Sequence, residues 1–178
     1  MSAKSISLRN LKFSYNKHND NPLVLNIDEL DILEGEKVFL YGPSGHGKST
    51  LLNILAGVLE IKSGQVEVLG KNLHDLSQSS RDHLRGENVG YIFQIFNLIP
   101  YLNIKNKIIL PCLINKKRAA NIDFNKQADE LIKVLGLQAH AHKNVTDLSI
   151  GQQQRVAAAR ALIGNPKLII ADEPTSSL

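Results

Sequence analysis

The sequence predicts an α/β fold, a parallel sheet core with attached β and helical subdomains. Three observations predict it. Apolar and polar residues alternate through the first third of the chain. An apolar strand then runs straight into a glycine-rich turn and an amphipathic helix, Lys37–Leu59. Helical spacing dominates the second half, which ends on another apolar strand.

Ile6 and Leu8, then Leu11, Phe13 and Tyr15, alternate with polar residues, and the phase slips by one near Asn10. That pattern predicts a strand with a bulge, or two short strands. Asn16–Pro22 is a loop of turn formers, and Leu25–Leu33 a second strand region. Lys37–Tyr41 is a short apolar strand, and Lys48–Leu59 a helix with Leu51, Leu52, Leu55 and Leu59 on one face. Gln65–Leu69 alternates as a strand, Ser77–Leu84 is polar and helical, and Val89–Phe93 is an apolar strand. Ala128, Leu131, Ile132 and Leu135 mark a helix that stops at Gly136. Gly151–Ile163 is a helix ended by Gly164-Asn165-Pro166, and Leu168–Ala171 a buried strand. In a parallel sheet, ligands sit at the carboxyl ends of the strands. Gly42–Thr50 and Asp172-Glu173 each follow an apolar strand, so both are expected at that edge.

The chain has 178 residues, 43% of them hydrophobic and 21% charged, a composition that excludes disorder and a membrane-embedded chain. No stretch approaches the ~18 consecutive apolar residues of a spanning helix, and the N-terminus lacks a signal peptide. One cysteine, Cys112, forms neither an internal disulfide nor a thiolate metal site, which fits a reducing compartment and a filler role. The net charge is +4, but the basic residues are scattered. The densest cluster, Lys116-Lys117-Arg118, reads as a solvated face, so no nucleic-acid partner is expected.

Gly42-Pro43-Ser44-Gly45-His46-Gly47-Lys48-Ser49-Thr50 matches the pattern G-x-x-x-x-G-K-[ST]. Its glycines let the backbone turn tightly and approach phosphate oxygens. Successive N–H groups form an anion nest, and the following helix points its positive end at the same anion. Lys48 adds charge at the β- and γ-phosphates of ATP, the Ser49 hydroxyl ligates Mg²⁺, and His46 is a spacer. Asp172, at the end of Leu168–Ala171, fits the second acidic motif that holds Mg²⁺ through water. Glu173 beside it is placed to orient or deprotonate the attacking water.

Leu148-Ser149-Ile150-Gly151-Gln152 resembles the Leu-Ser-Gly-Gly-Gln signature of ATP-binding cassette (ABC) ATPases, with Ile150 in place of the first Gly. The resemblance covers Ile6 to Leu178 with the elements in order, and it implies a P-loop NTPase (RecA-like) core with an antiparallel β subdomain and a helical subdomain over roughly 95–160, all in a single nucleotide-binding domain spanning 1–178. It implies that Ser149, Gly151 and Gln152 contact the nucleotide of a partner protomer in a head-to-tail dimer, a homodimer or a paired cassette. It makes Gln94 the Q-loop glutamine, sensing Mg²⁺ and water, and Tyr15 the aromatic that stacks on adenine. The segments Val89–Pro100 and Ala171–Leu178 look like the subgroup that pairs with permeases for lipoprotein release, macrolide export, peptide export or cell-division signalling. The implied role is that of an ATPase powering an integral-membrane permease, cytoplasmic and peripheral on the inner face of the membrane.

Relative to the family pattern the sequence stops early. None of its six histidines (18, 46, 74, 83, 140 and 142) follows Glu173, so the family's switch histidine has no counterpart. His140 and His142 read as surface residues. The expectation is an open sheet edge and poor hydrolysis by this chain alone, with a nucleotide-binding module of little activity as the alternative. A non-transport ATPase acting on ribosomes or DNA is a third reading, disfavoured by the absence of tandem cassettes or long coils.

Overall fold

A computed structural model describes residues 3–15, 23–120, 122–141 and 143–174. The predicted loop Asn16–Pro22, with His18, and also His142 and Thr175–Leu178, lie outside the described residues. The chain divides into two compact units, Met1–Asp82 and His83–Leu178.

The first unit is built on an antiparallel sheet of order β2-β1-β3-β4. Its strands are β1 (Lys4–Phe13), β2 (Leu25–Leu33), β3 (Ser63–Val68) and β4 (Lys71–Asn72). Alternation on β1 drives Ile6 and Leu8 inward, opposite Val68 and Val66 of β3, and all four are buried. The expected phase slip is present. The β1–β3 register shifts between Arg9 and Lys12, and Asn10 sits at a φ of 49°. The extra residue returns Leu11 and Phe13 to the buried face. Gly64 lies against the Asn10 carbonyl, where a side chain has no room.

Helix α1 (Lys48–Leu55) buries Thr50, Leu51, Ile54 and Leu55. It ends about one turn before the expected Leu59, because Gly57 takes a left-handed φ of 68° and its N–H closes on the Ile54 carbonyl. The expected strand Lys37–Tyr41 is not formed: these residues belong to no described strand, and Phe39 and Tyr41 are 86% and 93% exposed. Apolar composition supplies strand propensity, but a parallel strand exists only where a distant neighbour completes its ladder. The described parallel sheet holds two strands, neither of them this one.

The division between units falls within helix α2 (Gln78–Asn88), which runs on past the expected Leu84. In the second unit β5 (Val89–Ile92) and β6 (Leu168–Ala171) pair in parallel, Val89 opposite Leu168 and Ile92 opposite Ala171. Three helices, α3 (Ile104–Ile114), α4 (Phe124–Val134) and α5 (Ile150–Leu162), enclose an apolar core that includes Ile104, Ile108, Ile132, Val156 and Ile163. Cys112 belongs to this core, and burial pushes its thiol pKa up. Asn103 and Asp123 cap α3 and α4 with side-chain oxygens, and Gly136 ends the α4 region at a φ of 65°.

The Lys116–Arg118 cluster is not a uniformly solvated face. Arg118 is buried, and its guanidinium donates to the carbonyls of Ile163 (2.9 Å), Ala161 (2.9 Å) and Val89 (2.7 Å). The end of α5 and the start of β5 leave carbonyls without helix or ladder partners, and a planar fork of donors satisfies several at once. Among the described residues, no helix is long and apolar enough to cross a membrane.

Candidate functional site

The first unit carries Gly42–Thr50. Gly45 and Gly47 take left-handed φ values of 82° and 81°, the conformation the turn into α1 requires. At Gly47 a Cβ would come within 2.7 Å of Leu25 Cδ2 and 2.8 Å of the Val24 carbonyl, so glycine is also demanded by packing. Gly47 occupies the N-cap of α1 and offers no side-chain acceptor, which leaves the first N–H groups of the helix for an external anion. Lys48 folds back over the loop and donates from Nζ to the carbonyls of Gly42 (2.8 Å) and Pro43 (3.0 Å). Its ammonium is thereby held at the mouth of the turn. The His46 ring turns back on its own loop, Nδ1 lying 3.2 Å from the Ser44 carbonyl.

Ser49 and Thr50 separate. Ser49 is exposed, whereas Thr50 is buried, and its Oγ1 lies 2.9 Å from the Tyr15 hydroxyl. Tyr15 packs edge-on against Phe13, with ring centroids 5.2 Å apart, yet remains 61% exposed. A large, exposed aromatic face anchored at its tip is a stacking platform.

The second unit carries the carboxylates. Asp172 follows β6, is buried, and donates its backbone N–H to the Ile92 carbonyl (2.9 Å), which fixes it beside the end of β5. The Tyr91 phenol is pushed up to about 12 by burial and by the negative charge of Asp172. Gln94 donates from Nε2 to Glu173 Oε2 at 3.1 Å. Glu173 holds a φ of 44°, an unusual conformation for a non-glycine residue and one that clusters at functional sites. Each unit taken by itself offers hard oxygen donors of the kind Mg²⁺ selects: the Ser49 hydroxyl on the first, Gln94 Oε1 and the Asp172 carboxylate on the second.

Arg160 was not singled out by sequence reasoning. It donates to the carbonyls of Asn97 (2.7 Å) and Phe96 (2.9 Å) and lies 5.9 Å from the centroid of Phe93. Burial lowers its pKa. It thus grips the segment on both sides of Gln94. The only available signal was an arginine within the alanine-rich stretch Ala157–Ala161 of α5.

The signature segment begins α5 with a capping box. Ser149 Oγ accepts from the Gln152 N–H (3.3 Å), and Gln152 Oε1 accepts from the Ser149 N–H (2.9 Å). Gly151 has open space where a Cβ would stand, so close backbone approach by a ligand is sterically possible there. His140 corrects the surface reading: it is half-buried, and its Nε2 lies 2.9 Å from Gln152 Nε2. The short helical turn at Gln138–His140 folds it inward against α5.

A phosphate-type loop on one unit, and strand-end carboxylates with a capped signature helix on the other, define an ATP-binding cassette. The chain belongs to the ABC transporter family, whose model matches residues 25–176, and with it to a family of ATP-binding, ATP-hydrolysing cassettes. It is 36% identical over 173 residues to the lipoprotein-releasing system ATP-binding protein LolD of Francisella tularensis subsp. holarctica, and equally to that of subsp. tularensis; the match covers 97% of this chain and 74% of the relative. Among solved structures it is similar to the ATP-binding cassette MJ0796 in a dimeric post-hydrolysis state bound to ADP and Pi, with 38% identity, a TM-score of 0.86, and coverage of 97% of this chain and 75% of that one. A second dimeric structure of MJ0796, a bacterial ABC transporter cassette, matches at 39% identity and a TM-score of 0.85.

Proposed function

We propose that this chain is the ATP-hydrolysing subunit that powers an ABC transporter or mechanotransmitter permease. The observation that carries the reading is the Gln94–Glu173 contact. It holds the Glu173 carboxylate, through the Gln94 side-chain amide, directly after Asp172 at the end of β6, with Gln94 coming from the end of the neighbouring strand β5. The similarity to LolD supports a membrane permease as partner and a place on the inner face of the cell membrane, and the dimeric MJ0796 structures support a cassette dimer, homo- or heterotypic.

In this reading the N–H groups of Gly42–Thr50 bind the β- and γ-phosphates, and Lys48 exchanges its carbonyl partners for phosphate oxygens. Tyr15 stacks on the adenine, a contact worth about 1–3 kcal/mol in comparable base–aromatic pairs. Mg²⁺, when bound, neutralises charge on the transferred phosphate. Ser49, Asp172 and Gln94 are the residues to hold it. Glu173 takes a proton from water as that water attacks the γ-phosphorus and the bond to the β–γ bridging oxygen breaks, ADP carrying away that oxygen, and Gln94 keeps Glu173 Oε2 in place. Ser149, Gly151 and Gln152 meet the nucleotide of the partner protomer, and separation of the dimer resets the permease.

The test is dimerisation of the Glu173→Gln variant. Light scattering at saturating Mg·ATP is expected to show a dimer that reverts on nucleotide removal. A species that stays monomeric at saturating ATP would sink the reading. The alternative, a nucleotide-binding module without turnover, is separated by measuring phosphate release together with nucleotide affinity on the unaltered chain.

A further inference from the structure

We infer that His140 is a positioning residue for the signature helix, acting through the side-chain amide of Gln152 as a neutral imidazole with its proton on Nδ1. The inference rests on the proposed role of Ser149 and Gln152 in nucleotide turnover.

The argument follows from donor and acceptor chemistry. The Ser149 backbone N–H can only donate, so the Gln152 atom 2.9 Å from it is the amide oxygen. The amide NH₂ is then the group that faces His140 Nε2 at 2.9 Å. An NH₂ can only donate, so Nε2 accepts and the ring proton resides on Nδ1. Among the described residues His140 Nδ1 is buried with no hydrogen-bond partner. A buried N–H without a partner is unfavourable, so the ring adopts this tautomer because Gln152 imposes it. The reverse tautomer would set Nε2–H against NH₂, and relieving that clash by rotating the amide would turn NH₂ toward the Ser149 N–H.

The consequence reaches Ser149. With Gln152 held, Ser149 Oγ accepts from the Gln152 N–H (3.3 Å), and the hydroxyl proton of this exposed residue is left to donate outward. A second tie acts in the same direction: Arg155, on α5, donates to the Leu135 carbonyl at 2.9 Å. The segment 135–140 thus sets the position of the α5 N-terminus through two side chains.

Two measurements on the full chain test this. Nitrogen-15 NMR of the His140 ring at pH 8 is expected to show the Nδ1–H tautomer. In Gln152→Glu, which keeps the capping oxygen but replaces NH₂ by an acceptor, the ring is expected to switch to Nε2–H. An unchanged tautomer in Gln152→Glu overturns the inference. In steady-state ATP hydrolysis, His140→Phe is expected to lower kcat about tenfold with KM for ATP within about twofold, since ATP is held by Gly42–Thr50. His140→Gln, whose amide oxygen can accept from Gln152, is expected to recover most of that loss. Equal rates in His140→Phe and the unaltered chain overturn the positioning role. If His140→Phe does not fold, the comparison of His140→Gln with His140→Lys, which cannot accept, serves instead. Absence of turnover in the unaltered chain counts against the ATPase reading, and the tautomer switch then decides the inference on its own.

Discussion

Gln94 donates to Glu173 across 3.1 Å although 79 residues separate them in sequence. The contact exists because β5 and β6 are parallel neighbours in register, Ile92 opposite Ala171, so the residues that follow each strand emerge side by side. As Nε2 is the donor, Glu173 presents an accepting oxygen to it. Two variants separate orientation from base chemistry. Glu173→Gln is expected to slow single-turnover phosphate release by about 10²–10⁴, the range for loss of a general base. Gln94→Ala is expected to slow it less, with the base present but unsupported. Nucleotide affinity, read by fluorescence of a bound ATP analogue, is expected to change less than about threefold in both if ATP is held chiefly by Gly42–Thr50. Equal rates for Glu173→Gln and the unaltered chain would remove Glu173 from the chemistry.

Arg118 ties the end of α5 to the start of β5 within the second unit. It joins the carbonyls of Val89, Ala161 and Ile163, and Gly164 packs so closely on its side chain that a Cβ there would clash with Arg118 Cγ at 2.5 Å. Arg118→Met keeps much of the apolar stem but leaves buried carbonyls unpaired. With about 1–3 kcal/mol for each unsatisfied buried group, partly relieved by water, the expected loss is about 3 kcal/mol. Urea unfolding followed by far-ultraviolet circular dichroism measures it. Arg118→Lys is expected to recover only part, because one ammonium cannot reproduce the planar fork.

Gly47 and Lys48 separate folding from binding within one loop. Gly47→Ala places a methyl against Leu25 and the Val24 carbonyl at a left-handed φ of 81°, so both stability and nucleotide affinity are expected to fall. The left-handed backbone alone costs about 1–2 kcal/mol for a residue with a Cβ. Lys48→Met removes only the ammonium that now rests on the Gly42 and Pro43 carbonyls. Its thermal midpoint without nucleotide is expected to stay within about 2 °C of the unaltered chain, while the upward shift produced by ATP disappears. Thermal unfolding with and without nucleotide reads both effects. A full ATP-dependent shift in Lys48→Met would contradict the role given to its charge.

Much of this arrangement was legible in the sequence because it is local. The slip at Asn10, the stop at Gly136 and the turn through Gly45 and Gly47 each follow from residue type within a few positions. The nonlocal features were not. Lys37–Tyr41 has strand composition, but no strand in the described sheets pairs with it. Arg118 looked like part of a solvated face and Arg160 was not marked out at all, since nothing in their neighbourhoods shows the carbonyls they reach 29 to 64 positions away. His140 looked like a solvent-facing residue because its partner lies twelve positions on, past a loop whose path the sequence does not give.

Asp31 supplies a pH-dependent element of the first unit. Arg9 grips its carboxylate with both terminal nitrogens, at 2.9 and 2.8 Å, and Lys4 adds a contact at 2.7 Å. The Arg9 hydrogen bonds first, then that of Lys4, hold the Asp31 carboxyl well below the usual carboxylate range. A carboxylate with a depressed folded-state pKa contributes stability that is fully present above its unfolded value, about 3.9, and is lost as pH falls through the folded value. The cluster is solvent-accessible, so salt screens it and the contribution is modest. Asp31→Asn is therefore expected to unfold at lower urea than the unaltered chain at pH 7. The gap should begin to close as pH drops below about 4, and it should narrow at pH 7 in 1 M salt. A gap that stays constant from pH 7 to pH 2.5 would show that the Arg9–Asp31 pair acts by packing rather than by charge.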